Sequence, residues 1–426
     1  MSKFQIALLV IFGFFIILAV IVFSLYRGAT SEQAEVTVWG SIPAGEFNIW
    51  LNNAGINQDN QLIFRYEEKP AESLSADFTE ALASGRGPDL LLLPQSEFYR
   101  NKNKLAAIPY ESISERQFKE TFAEGGEIFL SPEGIYALPL YIDPLVLYYN
   151  RDLLSAAGYV KPLSFWDEIY NEAAKLTKRD EAGNIIQSAI ALGEWRNIAN
   201  AKDILSLLLL QAGTSITSIS AGGLRSELAN NFGLPVTPAE RALDFYTQFA
   251  NPSKTYYSWS RMMPEAQTGF ASGDAAYYLG LASELRELRK KSSTLNFSVA
   301  SVPQSRVGGR VITLGHVYGL ALSRGTRNPE SSLQAALKIV SKAVASEFSK
   351  VFSLPPARRD LLKEMPKDAI GSVFYEVAIQ ARAWVDPEPE ATAILFSDMV
   401  LGVTSGRLRV NEAIRAGSRQ LDSLIK

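Results

Sequence analysis

Short apolar runs alternate with helical patterns through the first quarter of the chain. Glu35 to Trp39 alternates polar and apolar residues, Leu62 to Tyr66 is a second short run, and Asp89 to Leu93 is apolar after its first residue. Alternation predicts a half-buried strand, and a short continuous apolar run predicts a strand covered on both faces. Helical patterns at 47–60 (ending in a loop) and 77–83 separate these strands. The alternation of strand and helix predicts an α/β lobe with a mostly parallel sheet.

The second half of the chain is richer in helical patterns. The apolar segments 201–212 and 239–249 predict buried helices, and 329–346 predicts one long helix. Two short apolar runs, 296–302 and 319–322, predict strands. Residues 164–301 are predicted to form the bulk of a second lobe that is rich in helices.

The middle of the chain gives the most informative pattern. Leu145 to Tyr149 is apolar, aromatic and too short for a helix, so it predicts a buried strand. Asn150 is of the type that caps a following helix, and Gly158 is of the type that ends one. Ser164 and Asp167 then have the spacing of a capping box for the next helix.

The N-terminus carries a long uncharged segment. Phe4 to Tyr26 is dominated by Ile, Leu, Val and Phe and would extend about 34 Å as a helix, enough to cross a bilayer. A retained transmembrane anchor is favoured over a cleaved signal peptide, because signal peptides have shorter apolar cores and a small-residue cleavage site. Cleavage near residues 28–30 is the alternative. Lys3 favours a cytoplasmic N-terminus, whereas Arg27 on the other side weakens that assignment.

Composition limits the functional classes. The chain has 426 residues, enough for two domains, with 47% hydrophobic and 20% charged residues. A net charge of −3 gives no electrostatic basis for nucleic-acid binding. There is no Cys, so disulfides, thiolate metal sites, cysteine nucleophiles and a lipidated Cys are excluded.

Signatures of catalysis are missing from the sequence. No Walker A motif or G-x-S-x-G nucleophile elbow occurs, and the single His, His316, cannot supply a two-histidine zinc motif. A catalytic triad would have to use His316, but a hydrogen-bonding role in a loop is the more economical interpretation. We therefore expect a binding protein rather than an enzyme, with no cofactor and no metal.

One passage is similar to a known family. The run LYYNRDLLSAAGY at 147–159, followed by PLSFWDE at 162–168, resembles the entry into the second lobe of extracellular solute-binding proteins of ABC importers, in the sugar-type family that includes maltose-binding protein. Further similar passages are GRGPDLLLL at 85–93, FASGDAAYYLG at 270–280, FSLPPAR at 352–358 and the C-terminal stretch from 405. The resemblance covers roughly residues 35–426.

The resemblance implies an α/β, two-lobed clamshell of the type II periplasmic-binding-protein kind, preceded by the N-terminal transmembrane helix. Residues 1–34 would be the anchor and linker. Residues 35–140 and 302–354 would form lobe 1, and residues 141–301 and 355–426 would form lobe 2. A ligand held between the lobes favours the closed form, because only that form contacts it from both sides.

Candidate ligand-binding residues follow from the predicted sheet and the resemblance. Ligands of such sheets bind beyond the carboxyl ends of the strands. Sugars are recognised by aromatic faces and by planar polar groups at their hydroxyls. The candidates are Trp39, Ser41, Glu46, Gln95, Ser96, Tyr141, Asp143, Trp195, Trp259, Gly280, His316 and Trp384.

Each candidate also has a structural interpretation. The resemblance places Asp143 at the position of a ligand-binding carboxylate, but Asp143 also precedes Pro144, where a structural role is common. Gln95 and Ser96 could form a solvated turn, and each Trp could pack in a core. Many relatives carry an aromatic residue directly after the position of Gly280, where this chain has Leu-Ala-Ser, which weakens the case for a maltose-like ligand.

The resemblance implies a membrane-tethered, extracytoplasmic, monomeric protein. It would capture a sugar or oligosaccharide and deliver it to the permease subunits of an ABC transporter, with the binding domain outside the cell membrane. The alternative is an anchored enzyme or a surface interaction protein with the same fold.

Overall fold

The computed structural model describes residues 12, 15, 16, 33–56, 62–220, 223–306 and 309–425. Within these residues, we find no helix with the length and apolar character that crossing a membrane requires. Apart from Phe12, Phe15 and Ile16, the anchor predicted at residues 4–26 lies outside the described residues.

Helices and strands alternate along the described chain. The helices are α1 (Ala44–Asn53), α2 (Leu74–Ala83), α3 (Phe98–Asn101), α4 (Glu115–Thr121), α5 (Arg151–Ala156), α6 (Ile169–Leu176), α7 (Ala201–Ala212), α8 (Pro238–Gln248), α9 (Ala266–Ala271), α10 (Leu285–Lys291), α11 (Pro329–Ile339), α12 (Lys342–Phe352), α13 (Arg359–Leu362), α14 (Ala369–Ile379), α15 (Pro389–Thr404) and α16 (Val410–Leu424). The strands are β1 (Ala34–Gly40), β2 (Leu62–Glu68), β3 (Leu90–Pro94), β4 (Leu105–Ala106), β5 (Leu130–Ser131), β6 (Gly134–Ile135), β7 (Ala137–Asn150), β8 (Lys178–Arg179), β9 (Ile185–Ile190), β10 (Thr217–Ser220), β11 (Gly223–Ser226), β12 (Ala275–Leu281), β13 (Phe297–Ala300), β14 (Thr313–Ser323) and β15 (Ala381–Arg382).

Two long strands connect the halves of the main sheet, whose order is β2-β1-β3-β14-β7-β12-β9-β8. Strand β1 pairs in parallel with β2 and β3, and β14 lies antiparallel between β3 and β7. On the other side, β7 pairs antiparallel with β12 and β13, and β12 pairs in parallel with β9. The 14 residues of β7 therefore carry the chain from one half of the sheet to the other without a break.

The buried side chains form two separate cores. The first core is built from β1, β2, β3, the beginning of β7, the end of β14 and the helices α11 to α13. The second core is built from the end of β7, β9, β12 and the helices α6 to α8, α15 and α16. Asp143 and His316 are paired in register where β7 and β14 pass between the two cores. A two-part α/β architecture, as expected from the sequence, follows from this division.

Local predictions were mostly confirmed, and the caps explain why. Asn150 accepts hydrogen bonds from the backbone N–H groups of Asp152 and Leu153, at 3.0 and 3.1 Å, so it caps α5 as predicted. Gly158 follows α5 with a positive φ of 83°, a conformation that favours glycine. The apolar segment at 201–212 forms α7 with the predicted bounds.

Three local predictions were wrong. The helix predicted over 329–346 is two helices, α11 and α12, because Ser341 takes an extended backbone (ψ 156°) that ends one helix and begins the next. The capping carboxylate before α6 is Glu168 rather than Asp167: Glu168 accepts from the N–H groups of Ser164 and Phe165. His316 lies in strand β14 and not in a loop.

Candidate functional site

A cavity of about 490 Å³ lies where the two cores meet, and we call it the central cavity. Gln95 and Ser96 reach it from the short 3-10 turn that follows β3, beyond the carboxyl end of that strand. The opposite wall comes from the loop before α7, the first turn of α7 and the loop before α15. The candidates from the sequence that line it are Gln95, Ser96, Trp195, His316 and Trp384.

An ion pair lies in the wall of the central cavity. The imidazole Nε2 of His316 is 2.8 Å from Oδ1 of Asp203, and both side chains are partly exposed, at 27% and 21%. Burial alone would lower the pKa of His316, but the carboxylates of Asp203 and Asp143 outweigh it and raise that pKa to about 9. Burial raises the pKa of Asp203, and His316 reverses this so that the pKa is lowered overall. The pair is therefore an imidazolium and a carboxylate at neutral pH.

The same pair has hydrogen-bonding capacity left over. The hydrogen bond between the two side chains uses Nε2 of His316 and Oδ1 of Asp203, which leaves Nδ1 and Oδ2 outside that bond. A protonated imidazole carries an N–H on both nitrogens, and a carboxylate oxygen accepts. Adjacent hydroxyl groups of one ligand could therefore use an acceptor on Asp203 and a donor on His316.

Lys202 and Asp386 join α7 to the loop before α15. The ammonium of Lys202 donates to Oδ2 of Asp386 at 2.6 Å, to the Pro389 carbonyl at 2.8 Å and to the Thr392 hydroxyl at 2.8 Å. Burial raises the pKa of Asp386, and Lys202 opposes that rise. All three ammonium hydrogens are thus used within the protein, so Lys202 holds the cavity wall in place rather than offering a donor to a ligand.

Two tryptophans give the cavity its aromatic surface. Trp384 is half-buried and stacks on Phe396, with 6.0 Å between ring centroids and 16° between ring planes. Trp384 also borders a neighbouring cavity of about 490 Å³, so its ring lies between two open spaces. Trp195 is half-buried on the loop before α7.

Gln95 is fixed by the strand beside it. Its Oε1 accepts from the backbone N–H of Val317, at 2.5 Å, next to His316. This bond orients the side-chain amide and leaves its NH₂ group as a donor at the cavity. The packing of β3 against β14 therefore positions a residue from the first core beside the ion pair.

Candidates near the junction of β7 and β14 do not line the central cavity. Asp143 is only 4% exposed, and its Oδ1 accepts from the backbone N–H of Ser283 at 2.9 Å. Burial raises its pKa to about 6. Tyr141 is buried between Tyr318 and Phe348, with ring centroids 4.4 and 4.7 Å away.

The remaining candidates are also placed elsewhere. A Cβ added at Gly280 would lie 2.5 Å from the Tyr278 ring, so close packing explains this glycine. Trp259 is fully buried in the second core. Trp39 is buried beneath Lys69, whose ammonium lies 4.0 Å from the ring centroid, and it borders a separate cavity of about 310 Å³.

The loop after β1 faces a different cavity. Glu46 pairs with Arg286 at 2.8 Å, and both border a cavity of about 320 Å³. Ser41 is half-buried and lines none of the cavities described here. Glu46 and Ser41 therefore do not line the central cavity.

Four charged residues of the central cavity were missed by sequence reasoning: Arg196, Lys202, Asp203 and Asp386. A signal was present for two of them. Lys202 and Asp203 are the only charged residues in the otherwise apolar segment at 201–212, and both fall in its first turn. Charged residues at the beginning of an otherwise buried helix indicate that this end of the helix is exposed, and here it faces the central cavity.

In comparisons with known proteins, one family model matches most of the chain, and solved structures share its fold. The model of the bacterial extracellular solute-binding protein family matches residues 64–346. A Brucella abortus protein described as a binding protein is 20% identical over 380 residues, covering 86% of each chain. The structure of a cyclo/maltodextrin-binding protein complexed with maltotetraose has a TM-score of 0.75 at 16% identity, covering 93% of this chain and 99% of that one. A Thermotoga lettingae ABC transporter solute-binding protein bound to α-D-tagatose has a TM-score of 0.65 at 18% identity, covering 92% and 100%.

Proposed function

This chain belongs to the family of bacterial extracellular solute-binding proteins, and from that premise we propose that it binds an uncharged carbohydrate in the central cavity and delivers it to the permease of an ABC importer. The observation that carries the proposal is the combination of two tryptophan rings with the Asp203–His316 pair in one cavity between the two cores. Aromatic faces match the C–H surfaces of sugars, and planar polar groups match their hydroxyls.

The charges of the cavity support an uncharged ligand. His316 is paired with Asp203, and Lys202 is paired with Asp386, so these four charges cancel within the wall, and the fifth charged side chain of the lining, Arg196, is exposed to solvent. Trp384 lies between the central cavity and its neighbour, which supports a ligand longer than one sugar unit. The structures with the same fold that hold maltotetraose and α-D-tagatose are consistent with a carbohydrate but do not choose among them.

We assign the ligand contacts to six residues. Asp203 takes the role that the resemblance gave to Asp143, because Asp203 lines the cavity and is partly exposed whereas Asp143 is buried against Ser283. The proposed contacts are Gln95, Ser96, Trp195, Asp203, His316 and Trp384.

The two cores support a division into lobes with the ligand between them. The proposed lobe 1 is 35–140 with 302–354, and lobe 2 is 141–301 with 355–426. Residues 357–362 pack with the first core, although the proposed boundary assigns them to lobe 2. The last connection between the lobes would therefore lie after α13 rather than at residue 354. A ligand touching both walls would favour the closed arrangement.

The cellular setting rests on the N-terminus and the family. A membrane anchor at residues 4–26 would place a monomeric binding domain on the extracytoplasmic side. The full chain should then need detergent, whereas a chain beginning near Ser31 should be soluble. Partition of the full chain into the aqueous phase with an intact N-terminus would contradict the anchor.

The binding proposal is tested by ligand identification and calorimetry. Mass spectrometry of the purified protein should detect a co-purified carbohydrate, and titration with maltotriose, maltotetraose and tagatose should show saturable binding of at least one sugar. Asp203→Asn should weaken that binding on the order of tenfold to a hundredfold by removing a charge-assisted hydrogen bond. Asp398→Asn, at an exposed position of α15, is the matched control and should bind like the wild type. A protein that binds no sugar, or binds it equally well with Asn at 203, contradicts the proposal.

A further inference from the structure

Arg100 contacts carboxylates on the opposite side of the central cavity. It lies on α3, and its Nη2 is 2.9 Å from Oε2 of Glu388 and also contacts Glu390. Glu388 and Glu390 flank Pro389 at the beginning of α15. Arg100 belongs to the part of the chain that packs in the first core, and α15 packs in the second. The contact therefore bridges the two bodies of the protein.

The bridge is adjacent to both walls of the cavity. Helix α3 directly follows the 3-10 turn that carries Gln95 and Ser96. On the other side, Glu388 closely follows Asp386, and the carbonyl of Pro389 is held by Lys202. Both ends of the Arg100 contact are thus within a few residues of side chains that line the cavity, so the contact ties together the segments that form its two walls.

The electrostatics of the bridge depend on one guanidinium. Arg100 is also 3.5 Å from Glu97 on its own side, so three carboxylates share a side chain that is only 24% exposed. Burial lowers the pKa of Arg100, but hydrogen bonding and the nearby charges of Glu390, Glu97 and Glu388 outweigh burial and raise it. Lys104 and Lys202 also lie near these carboxylates, but Lys104 donates to Asn101 and Thr79, and Lys202 donates to Asp386, Pro389 and Thr392.

We propose that Arg100 is an interlobe clasp, a positioning residue that holds the two walls of the central cavity together before any ligand is bound. Without the guanidinium, Glu97 on one wall would face Glu388 and Glu390 on the other without the cation that contacts all three, so the attraction between the walls would be weakened. The clasp rests on the proposed two-lobe binding function, but its test is carried out without ligand and does not require the ligand to be known.

Interlobe distance is the direct readout. The chain has no Cys, so replacing the exposed Ser112 and Ser253 by Cys gives two unique positions for spin labels, one beside each core. Double electron–electron resonance on the full chain in detergent then reports the distance distribution without ligand. Arg100→Gln should shift it to longer distances, raising the open-to-closed ratio about threefold to thirtyfold, and high salt should act in the same direction.

Matched variants separate the clasp from a general effect on stability. Arg116→Gln removes an exposed pair with Glu120 within one helix and should leave the distances unchanged. Arg100→Lys keeps the charge and should retain part of the closed population. Glu388→Gln with Glu390→Gln removes the same contacts from the other wall, and this variant keeps the test valid if Arg100→Gln fails to fold.

Two results would overturn the clasp: wild-type protein that is already as open as Arg100→Gln, or variants on both walls that leave the distances unchanged. Calorimetry on the same samples tells this failure apart from failure of the binding proposal. If the protein binds sugar but the variants on both walls leave the interlobe distances unchanged, only the clasp proposal is refuted. If Arg100→Gln lengthens the distances but no sugar binds, only the carbohydrate-binding proposal is refuted.

Discussion

The ion pair between Asp203 and His316 predicts how the single histidine titrates. His316 has a pKa of about 9, against an ordinary value of 6.5, chiefly because the Asp203 carboxylate lies 2.8 Å from its Nε2. The difference between 9 and 6.5 corresponds to about 3–4 kcal/mol at roughly 1.4 kcal/mol for each pKa unit. Asp203→Asn keeps the shape and removes the charge, so burial is then opposed only by Asp143 and the pKa of His316 should fall to its ordinary value or below it.

Nuclear magnetic resonance can follow this change without ambiguity, because the chain contains one His. The imidazole signals of wild type and Asp203→Asn are recorded from pH 5 to pH 10. Asp143→Asn is the comparison: Asp143 also raises the pKa of His316, but by less than Asp203, so a smaller fall is expected. A wild-type midpoint near 6.5, or no change in Asp203→Asn, would refute the assignment of the pair as charged.

The same pair gives a signed dependence of stability on pH. The pKa of His316 is higher in the folded protein, at about 9, than in the unfolded chain, at about 6.5. Protonation of His316 therefore stabilises the folded protein fully below pH 6.5, and this stabilisation is lost as the pH rises to about 9. Denaturant titrations at pH 6 and pH 10 should therefore show a larger loss of unfolding free energy for wild type than for Asp203→Asn. Equal losses would contradict the prediction.

Four further substitutions have distinct expected outcomes. Trp384→Ala should weaken sugar binding on the order of tenfold to a hundredfold with little loss of stability, which calorimetric titration would show. Trp259→Ala, at a fully buried position, should instead lower the unfolding free energy by about 3–5 kcal/mol, which thermal melts would show. Lys202→Met should destabilise by roughly 2–4 kcal/mol because it leaves Asp386 buried without its cation; recovery in a variant that also replaces Asp386 by Leu is the check. Asp143→Asn should leave the affinity for sugar unchanged, and weaker binding would restore the ligand role expected for Asp143. Because burial raises the pKa of this carboxyl to about 6, the folded wild type loses stability as the pH rises from 3.8 through 6, and Asp143→Asn should remove that loss.

Local sequence patterns predicted the elements because their causes are local. The apolar run at 89–93 became a strand buried on both faces, and its carboxyl end placed Gln95 and Ser96 at the cavity. Asn150 could be read as a cap since its hydrogen bonds go to residues two and three positions along the chain. Rules that depend on a few adjacent residues were therefore enough to predict most of the strands and helices.

Side-chain placement could not be predicted in the same way. Trp259 and Trp384 both have polar neighbours in the sequence, yet one is fully buried and the other borders two cavities. The difference depends on what distant segments pack against each ring, such as Phe396 against Trp384. Asp143 was placed correctly at the junction of the two halves, but the N–H of Ser283, far along the chain, satisfies it there.

A carbohydrate bound in the central cavity must lie against His316, so the imidazole signal of this single histidine is the most direct test. The signal is recorded while maltotriose, maltotetraose or tagatose is added to the full chain, with calorimetry on the same sample. We expect a saturable change in the His316 signal that follows the calorimetric binding curve and is lost or weakened in Asp203→Asn. A sugar that binds by calorimetry and leaves the His316 signal unmoved would contradict binding in the central cavity.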